Sequence, residues 1–112
     1  MSMAKRKIIT MADIQRMARR IVRLFDPERV ILFGSHARGE AGPDSDVDLL
    51  VVMDVEGSKL EKSIDIGVAL HDFDVPKDVI VVRPDEFAWR KNYIGTIERP
   101  AAREGKVLYA RA

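Results

Sequence analysis

The sequence contains no cysteine, which excludes disulfide bonds and sites in which thiolates hold a metal. No apolar run approaches the roughly 20 residues that span a bilayer, and the N-terminus has no apolar signal core. The net charge is only +1, so nucleic acid could be held only by a local basic patch and is not expected as a direct substrate. We therefore expect a soluble protein of the cytoplasm that does not bind membranes.

The composition is that of an ordinary folded domain. Hydrophobic residues make up 46% of the 112 residues and charged residues 33%, a balance that argues against disorder. A chain of this length forms one domain with a single core. We predict that this domain covers residues 10–112 and that residues 1–9 form a short basic lead.

Helical and strand patterns follow one another along the first three quarters of the chain. Thr10 with Asp13 predicts the start of a helix, which Asp26-Pro27 ends. The buried stripe of this helix is predicted to consist of Ile14, Met17, Ile21 and Leu24. Strands are predicted at 29–33, 46–53 and 78–82, and a helix marked by Leu60, Ile64 and Val68 joins the last two as a crossover. We therefore predict an α/β (α+β) fold, a small mixed β-sheet flanked by helices.

The last quarter of the chain is predicted to add a helix and a terminal strand. Pro84, followed by two acids, predicts a helix start. The side chains expected to pack this helix on the sheet are Phe87, Tyr93, Ile94 and Ile97. Trp89 with Tyr93 could instead stack a base, although such residues more often belong to a core or an interface. A last helical turn is predicted to end with Gly105 as the residue beyond it, before an edge strand or packed tail at 107–109.

Four arginines form a stripe on the first predicted helix: Arg16, Arg19, Arg20 and Arg23. One interpretation is a docking face for RNA or for an acidic protein surface. The other is a solvated helix face, because charged stripes are routine on amphipathic helices. Both interpretations stay open at the level of the sequence.

The stretch 34–52 joins two apolar runs through a glycine-rich, charged connector, which is typical of two strands joined by a functional loop. Asp46 and Asp48 lie near the start of the second run. Side chains alternate along a strand, so the two carboxylates are expected to point to one side, about 7 Å apart along the chain. Two such carboxylates repel each other unless a cation lies between them, and Mg²⁺ takes oxygen ligands of this kind.

A second candidate feature begins where the first of these runs ends. Gly34 ends the run, and Ser35 can cap a short helix that begins at His36. A glycine turn into a helix leaves N–H groups free to face an anion, and Arg38 can hold a phosphate. His36 could act as a base, but a polar loop residue is the simpler interpretation. The neighbouring strand ends therefore predict a site for a metal-bound nucleotide.

The arrangement of Gly34, Ser35, Asp46 and Asp48 resembles the signature of the polymerase-β-type nucleotidyltransferase superfamily. The run Gly-Ser-His-Ala-Arg-Gly that starts at Gly34 resembles its minimal nucleotidyltransferase (MNT) branch. Members of this branch often serve as antitoxins to HEPN-domain toxins. The resemblance implies the nucleotidyltransferase fold for this chain.

A third acid is expected to complete the metal site. Asp72, Asp74 and Asp78 are the candidates, and Asp78 alone directly abuts the third apolar run, so it can face the same side as Asp48 from a neighbouring strand. The resemblance implies a third carboxylate in this place. We therefore predict Asp46, Asp48 and Asp78 as metal ligands and catalytic residues, with a loop-end role for Asp78 as the alternative.

The predicted chemistry is transfer of a nucleoside monophosphate onto a hydroxyl, and the resemblance implies that this group is AMP from ATP. The three aspartates would hold two Mg²⁺ ions, and Gly34, Ser35 and Arg38 would bind the leaving pyrophosphate of the nucleotide. The resemblance implies that the acceptor is a tyrosine of a HEPN toxin, with which the antitoxin would form a hetero-oligomer. Two alternatives stay open: an antitoxin that neutralises its toxin by binding alone, and an adenylyltransferase that acts on a small molecule.

Overall fold

A four-stranded mixed sheet forms the centre of the computed structural model, which describes residues 9–112. The predicted basic lead lies outside the described residues except for Ile9. The elements of the described part are α1 (Met11–Phe25), β1 (Arg29–Phe33), α2 (Ser35–Arg38), β2 (Val47–Val52), α3 (Lys59–Ala69), β3 (Lys77–Val82), α4 (Pro84–Arg90), α5 (Glu98–Glu104) and β4 (Lys106–Ala110). The strand order is β3-β2-β1-β4; β2 and β3 are parallel, whereas β1 is antiparallel to β2 and β4. The predicted fold class is confirmed.

Helix α1 begins and ends where the sequence predicts. The Thr10 hydroxyl accepts a hydrogen bond from the Asp13 N–H at 3.2 Å, and the Asp13 carboxylate accepts one from the Thr10 N–H at 3.1 Å. These two bonds satisfy N–H groups that the first helical turn would otherwise leave unpaired. Asp26 ends the helix in a left-handed conformation, with φ 49°.

The apolar face of α1 differs from the predicted stripe at one position. Ile14, Met17 and Ile21 are buried, but Leu24 is 53% exposed. The reason is the 3.6-residue period, which brings Phe25 rather than Leu24 to the core-facing side of the last turn. No helix within residues 9–112 combines the length and the apolar character needed to cross a membrane.

Strand β2 is covered on both faces, as its continuous apolar sequence predicts. One face, made by Val47, Leu49, Val51 and Met53, packs against the layer of α1 and α3. The other face, with Leu50 and Val52, packs against Phe87 and Ala101 from α4 and α5. If β2 shifted by one residue relative to its neighbours, the polar residues at its start would move into one of the two cores. The register of β2 is therefore well determined.

Helix α3 connects β2 to the parallel strand β3, which confirms the predicted crossover. Its packing face, however, is not the stripe that marks it in the sequence. Ile66 and Leu70 are buried, whereas the marker residues Leu60, Ile64 and Val68 are 70%, 56% and 65% exposed. Apolar spacing indicated the helix correctly, but the neighbouring elements cover a different side of it.

Helices α4 and α5 cover the second face of the sheet. The Glu86 carboxylate accepts a hydrogen bond from the Arg83 N–H at 3.0 Å, which caps the start of α4 at Pro84 as predicted. An ion pair of 3.1 Å between Arg90 and Glu98 joins the two helices.

The side chains expected to pack α4 on the sheet are only partly the ones that do so. Phe87 and Ile97 pack on the sheet, but Tyr93 and Ile94 are 58% and 87% exposed. The helix ends at Arg90, and the following turn, with Gly95 at φ 93°, carries these two residues to the surface. Trp89 is also exposed, and it meets Tyr93 edge to face at 5.5 Å between ring centres.

Gly105 follows α5 as predicted, but its backbone is extended, with φ −74°, and not the left-handed conformation of a helix-terminating glycine. A Cβ at this position would overlap the carbonyl oxygen of Ala101 and lie 2.7 Å from Cγ2 of Ile31. Glycine is therefore required here because α5 and β1 approach its backbone closely. The terminal strand β4 then pairs with β1 at the edge of the sheet, as predicted.

The close approach at Gly105 predicts that Gly105→Ala lowers the free energy of unfolding by about 2 kcal/mol, because backbone atoms fill the space and cannot move aside. Gly67→Ala is the matched control. Gly67 lies inside α3, and a methyl group added there would meet nothing within 4 Å, so its replacement should raise the same free energy by about 0.5–1 kcal/mol. Urea unfolding of both variants measures the two effects, and a harmless Gly105→Ala would contradict this account of the packing.

Candidate active site

The turn from β1 into α2 is built around Gly34. Its φ of 73° and ψ of −157° belong to a region that residues with a Cβ rarely adopt. A Cβ at Gly34 would overlap Oδ2 of Asp48 and lie 3.2 Å from its Cγ. The sequence therefore needs glycine here for two reasons, the backbone conformation and the Asp48 carboxylate that packs against this turn.

The short helix α2 begins one residue earlier than predicted. Ser35 is its first residue, and Gly34 is the residue that caps it, without a side-chain hydrogen bond. The Gly34 carbonyl accepts hydrogen bonds from the N–H groups of Ala37 and Arg38 at 3.1 and 3.2 Å. The expected capping role of Ser35 is thus wrong: glycine forms the turn itself, and Ser35 lies directly beside it at the first helical position.

The two strand-borne aspartates of the prediction are neighbours in the sheet. Asp48 on β2 is in register with Asp78 on β3 in the parallel ladder, so the two residues stand on adjacent strands about 4.8 Å apart. Asp46 comes just before β2 and is exposed, as is Asp78, whereas Asp48 is half-buried. The sheet thus brings the carboxylates together at the edge where β2 and β3 begin, next to the Gly34 turn.

The electrostatics of this edge confirm that the carboxylates influence one another. Burial raises the pKa of Asp48, and the negative charges of Asp78 and Asp46 raise it further. The nearby positive charges of His36 and Arg38 act in the opposite direction on that pKa. Asp48 is therefore the carboxylate of the group that gains most from a cation at this place.

The other two candidates for the third acid lie elsewhere. Asp72 forms an ion pair with Arg20 of α1, which lowers the pKa of the Asp72 carboxyl. Asp74 lines a groove beside α1 together with Phe73 and Arg16. Neither is placed on the strand next to Asp48, because both belong to the connection before β3.

The donor set at the sheet edge suits a hard divalent cation. Carboxylate oxygens are the ligands that Mg²⁺ takes, and the absence of a side chain at Gly34 lets the Asp48 carboxylate pack directly against this turn. Within residues 9–112, no three acidic or histidine side chains are already drawn together tightly enough to form a finished metal centre. Asp46 and Asp78 are exposed, so their carboxylates are open to a cation from solvent, and the type of ligand fits a divalent ion.

Arg38 and His36 lie on the short helix α2 that follows this turn. Arg38 is exposed and forms an ion pair of 2.8 Å with Glu40, which raises the Arg38 pKa, with smaller contributions from Glu104 and Asp48. His36 lies with Nε2 3.3 Å from the carbonyl oxygen of Ser45. The sequence interpretation of His36 as a polar loop residue missed its proximity to Asp48; its place in the turn between two strand ends was the only signal in the sequence.

Comparisons with known proteins agree with this geometry. The model of the nucleotidyltransferase domain family matches residues 14–102. The chain belongs to this family. A candidate protein adenylyltransferase of Methanocaldococcus jannaschii, MJ0604, is 35% identical over 83 residues, which is 73% of this chain and 78% of that protein. This nucleotidyltransferase domain is therefore an enzyme of the transferase class that uses a nucleotide.

Solved structures share the fold of this nucleotidyltransferase. A chain of a toxin–antitoxin complex crystallised with AMP-PNP superposes with a TM-score of 0.58 and 19% identity, over 87% of this chain and 73% of that one. A candidate nucleotidyltransferase from Sulfolobus solfataricus superposes with a TM-score of 0.54 and 24% identity, over 88% of this chain and 78% of that one. These likenesses confirm the predicted nucleotidyltransferase fold.

The raised pKa of Asp48 predicts that Asp48→Asn stabilises the domain in metal-free buffer at pH 7. Because the folded state disfavours the ionised carboxylate, ionisation of Asp48 lowers the stability of the wild type at a pH above its folded-state pKa. Below the ordinary pKa of 3.8 the carboxyl group is neutral in both states, and this loss of stability is absent. Because solvent screens such repulsion to less than about 1 kcal/mol, Tm should rise by up to about 4 °C.

The pH dependence of this gain distinguishes its cause. Thermal melts at pH 7 and at about pH 3 should show a difference between variant and wild type that disappears in acid, where both side chains are neutral. Asp54→Asn is the matched control, because Asp54 is an exposed carboxylate beyond the opposite end of β2. A lower Tm for Asp48→Asn at pH 7 would show that the ionised carboxylate stabilises the fold instead.

The packing of Gly34 against Asp48 predicts a second effect, measured by urea unfolding. Gly34→Ala should cost about 2 kcal/mol or more, because it adds backbone strain to the overlap with the carboxylate. In an Asp48→Ala background the overlap with the carboxylate is gone and only the backbone strain remains. Gly34→Ala should therefore lower the free energy of unfolding by less in that background. The same cost in both backgrounds would contradict the close approach. Gly39→Ala, at φ 72° with nothing within 4 Å, measures strain without overlap.

Proposed function

We propose that this nucleotidyltransferase moves AMP from ATP onto a tyrosine hydroxyl of a HEPN toxin and thereby acts as its antitoxin. The observation that carries the proposal is the register of β2 and β3, which pairs Asp48 with Asp78 beside the Gly34 turn. That arrangement offers carboxylates for a divalent cation and a turn for phosphates at the same sheet edge. It has the parts that phosphoryl transfer needs, namely positioning groups and charge stabilisation.

The relatives support a protein as the acceptor and ATP as the donor. MJ0604 is described as a candidate protein adenylyltransferase, and the sequence identity to it is 35%. The fold is shared with a chain of a toxin–antitoxin complex that was crystallised with AMP-PNP, an analogue of ATP. A toxin would therefore be the partner in a hetero-oligomer, and its tyrosine the acceptor.

Three aspartates would hold the cation that the donor brings. Asp46, Asp48 and Asp78 are the proposed metal ligands, and their oxygen atoms suit two Mg²⁺ ions. When bound, Mg²⁺ supplies positive charge that neutralises the phosphates and stabilises charge as it develops at the α-phosphorus. Asp78 is exposed on the edge of the site and can accept the proton that the tyrosine hydroxyl loses.

The turn beside them would bind the leaving group. Gly34 and Ser35 lie at the start of α2, where their N–H groups and the Ser35 hydroxyl would act as donors. Arg38 is exposed and within electrostatic reach of Asp48, so it can release Glu40 and hold a phosphate of the departing pyrophosphate. The bond from the α-phosphorus to pyrophosphate breaks while the bond to the tyrosine oxygen forms.

A purely binding antitoxin is the main rival. Such a protein would gain nothing from an aspartate whose pKa is raised by burial and by two neighbouring acids, because that arrangement weakens the fold. The catalytic proposal accounts for it, since the bound cation removes the repulsion. The unfavourable electrostatics at Asp48 thus favour catalysis over binding alone.

The proposal predicts that AMP is transferred to the toxin only with an intact site. With α-labelled ATP, Mg²⁺ and the HEPN toxin, the wild type should label the toxin, and EDTA should abolish labelling. Asp48→Asn should reduce the initial rate by about 10³-fold or more, because the cation loses its central ligand. Asp54→Asn should leave the rate unchanged.

Two further readouts make the result decisive. Mass spectrometry of the labelled toxin should show AMP on a tyrosine, and toxin activity should fall as label accumulates. Inhibition of the toxin without label, equally strong with Asp48→Asn, would establish neutralisation by binding and overturn the proposal. Label on an added small molecule instead of the toxin would identify the other class of adenylyltransferase.

A further inference from the structure

The arginine stripe of α1 divides into two halves with different surroundings. Arg16 forms an ion pair of 2.7 Å with Asp13, and Arg20 bonds to Asp72 while its guanidinium lies 4.7 Å from the centre of the Phe73 ring. This half of the stripe faces α3 and the connection to β3, and its arginines serve contacts within the fold. The other half, Arg19 and Arg23, is exposed on the opposite flank.

Arg19 and Arg23 stand at the rim of a groove between α1 and β4. The groove has a volume of about 280 Å³, and its floor is formed by Ala18 and Val22 of α1 with Leu108 and Tyr109 of β4. Within residues 9–112, neither arginine forms an ion pair with an acidic side chain. An apolar floor between two unpaired guanidinium groups has the chemistry of a binding surface.

A β-bulge shapes the floor of the groove. Val30 is paired with Tyr109, but the next residue, Ile31, is paired with Val107, so Leu108 is an extra residue in β4. The bulge interrupts the alternation of side chains and turns Leu108 as well as Tyr109 toward α1. Without it, one of these side chains would lie on the other face, where Val107 is 54% exposed.

The groove runs along an open sheet edge. β4 is the last strand in the order β3-β2-β1-β4, and its outer side has no strand partner within residues 9–112. Such an edge presents N–H and C=O groups to any extended chain that can pair with it. The groove and this edge together form a surface with an apolar pocket, two cations and a backbone ladder.

We propose that this surface binds an extended segment of a partner protein in which carboxylates alternate with apolar side chains. The segment would pair with β4, insert an apolar side chain between α1 and Leu108, and place carboxylates beside Arg19 and Arg23. Alternation fits because side chains of a strand point to opposite faces. Two strands, β2 and β1, separate this surface from β3 and its Asp78, so occupancy does not require nucleotide transfer and the proposal stands apart from the proposed function.

Charge selects this occupant over the alternatives. A second copy that paired antiparallel through β4 would place its α1 on the same face of the joined sheet, so that the exposed Arg19 and Arg23 of both copies would repel one another. Double-helical RNA would satisfy the arginines but would leave the apolar floor without a matching group, since its outer surface is phosphate and sugar. An acidic and apolar protein segment satisfies both parts of the surface.

Selection from a random dodecapeptide display library on the immobilised chain provides the probe. The enriched peptides should carry acidic residues interspersed with apolar ones. Fluorescence anisotropy of synthetic copies should show binding that weakens with salt, because the ion pairs are exposed. Amide resonances of β4 and of the groove side of α1 should shift when these peptides are added, whereas those of β3 should not.

Charge reversal tests the surface directly. Arg19→Glu and Arg23→Glu should each weaken peptide binding about threefold, and the double variant about tenfold, as expected for exposed ion pairs turned into repulsion. Arg103→Glu is the matched control, because Arg103 is an exposed arginine on α5, on the other face of the sheet, and should have no effect. Melting curves check that each variant is folded.

Several results would overturn the proposal. Enriched peptides without acidic residues would do so, as would peptides that bind the double variant as tightly as the wild type. Resonance shifts confined to elements other than β4 and α1 would place the binding surface elsewhere. Tighter binding of a single-stranded RNA 12-mer than of any selected peptide, lost in the double variant, would assign the groove to nucleic acid.

Discussion

The parallel pairing of β2 with β3 is the constraint on which the site depends. It is set by apolar side chains, not by the aspartates: β2 is buried on both faces, so a shift by one residue would move Asp48 toward a core layer and expose a leucine. The hydrophobic core thereby holds Asp48 next to Asp78 although the two carboxylates repel each other. The juxtaposition of the two carboxylates is thus a consequence of apolar packing in the middle of the sheet.

The features of this site destabilise the fold that carries it. Asp48 is half-buried beside two like charges, and the turn that receives it has a backbone conformation suited only to glycine. Each feature weakens the fold, and each belongs to the site proposed to bind a cation and phosphates. The stability lost there is offset by the two apolar layers that α1 and α3 on one side, and α4 and α5 on the other, form over the sheet.

The sheet separates two kinds of surface. The β2 and β3 side carries the carboxylates and the turn at Gly34, whereas the β4 side carries an open edge and the rim arginines. Membership of the nucleotidyltransferase family agrees with the function proposed for the first surface, whereas the role proposed for the second surface rests on its own geometry. A domain that acts on a protein must bind it as well as react with it, and the proposed groove would supply a contact remote from the reacting atoms.

Local patterns in the sequence were sufficient for the capping of α1, for the strands, for the crossover and for the resemblance to the nucleotidyltransferase family, because each depends on neighbours only a few positions away. The tertiary structure alone decided which side of α3 is buried, where α4 ends, that Gly34 rather than Ser35 caps α2, and which arginines of α1 are already paired. A period of 3.6 residues identifies a helix, but only distant segments of the chain determine which of its faces they cover.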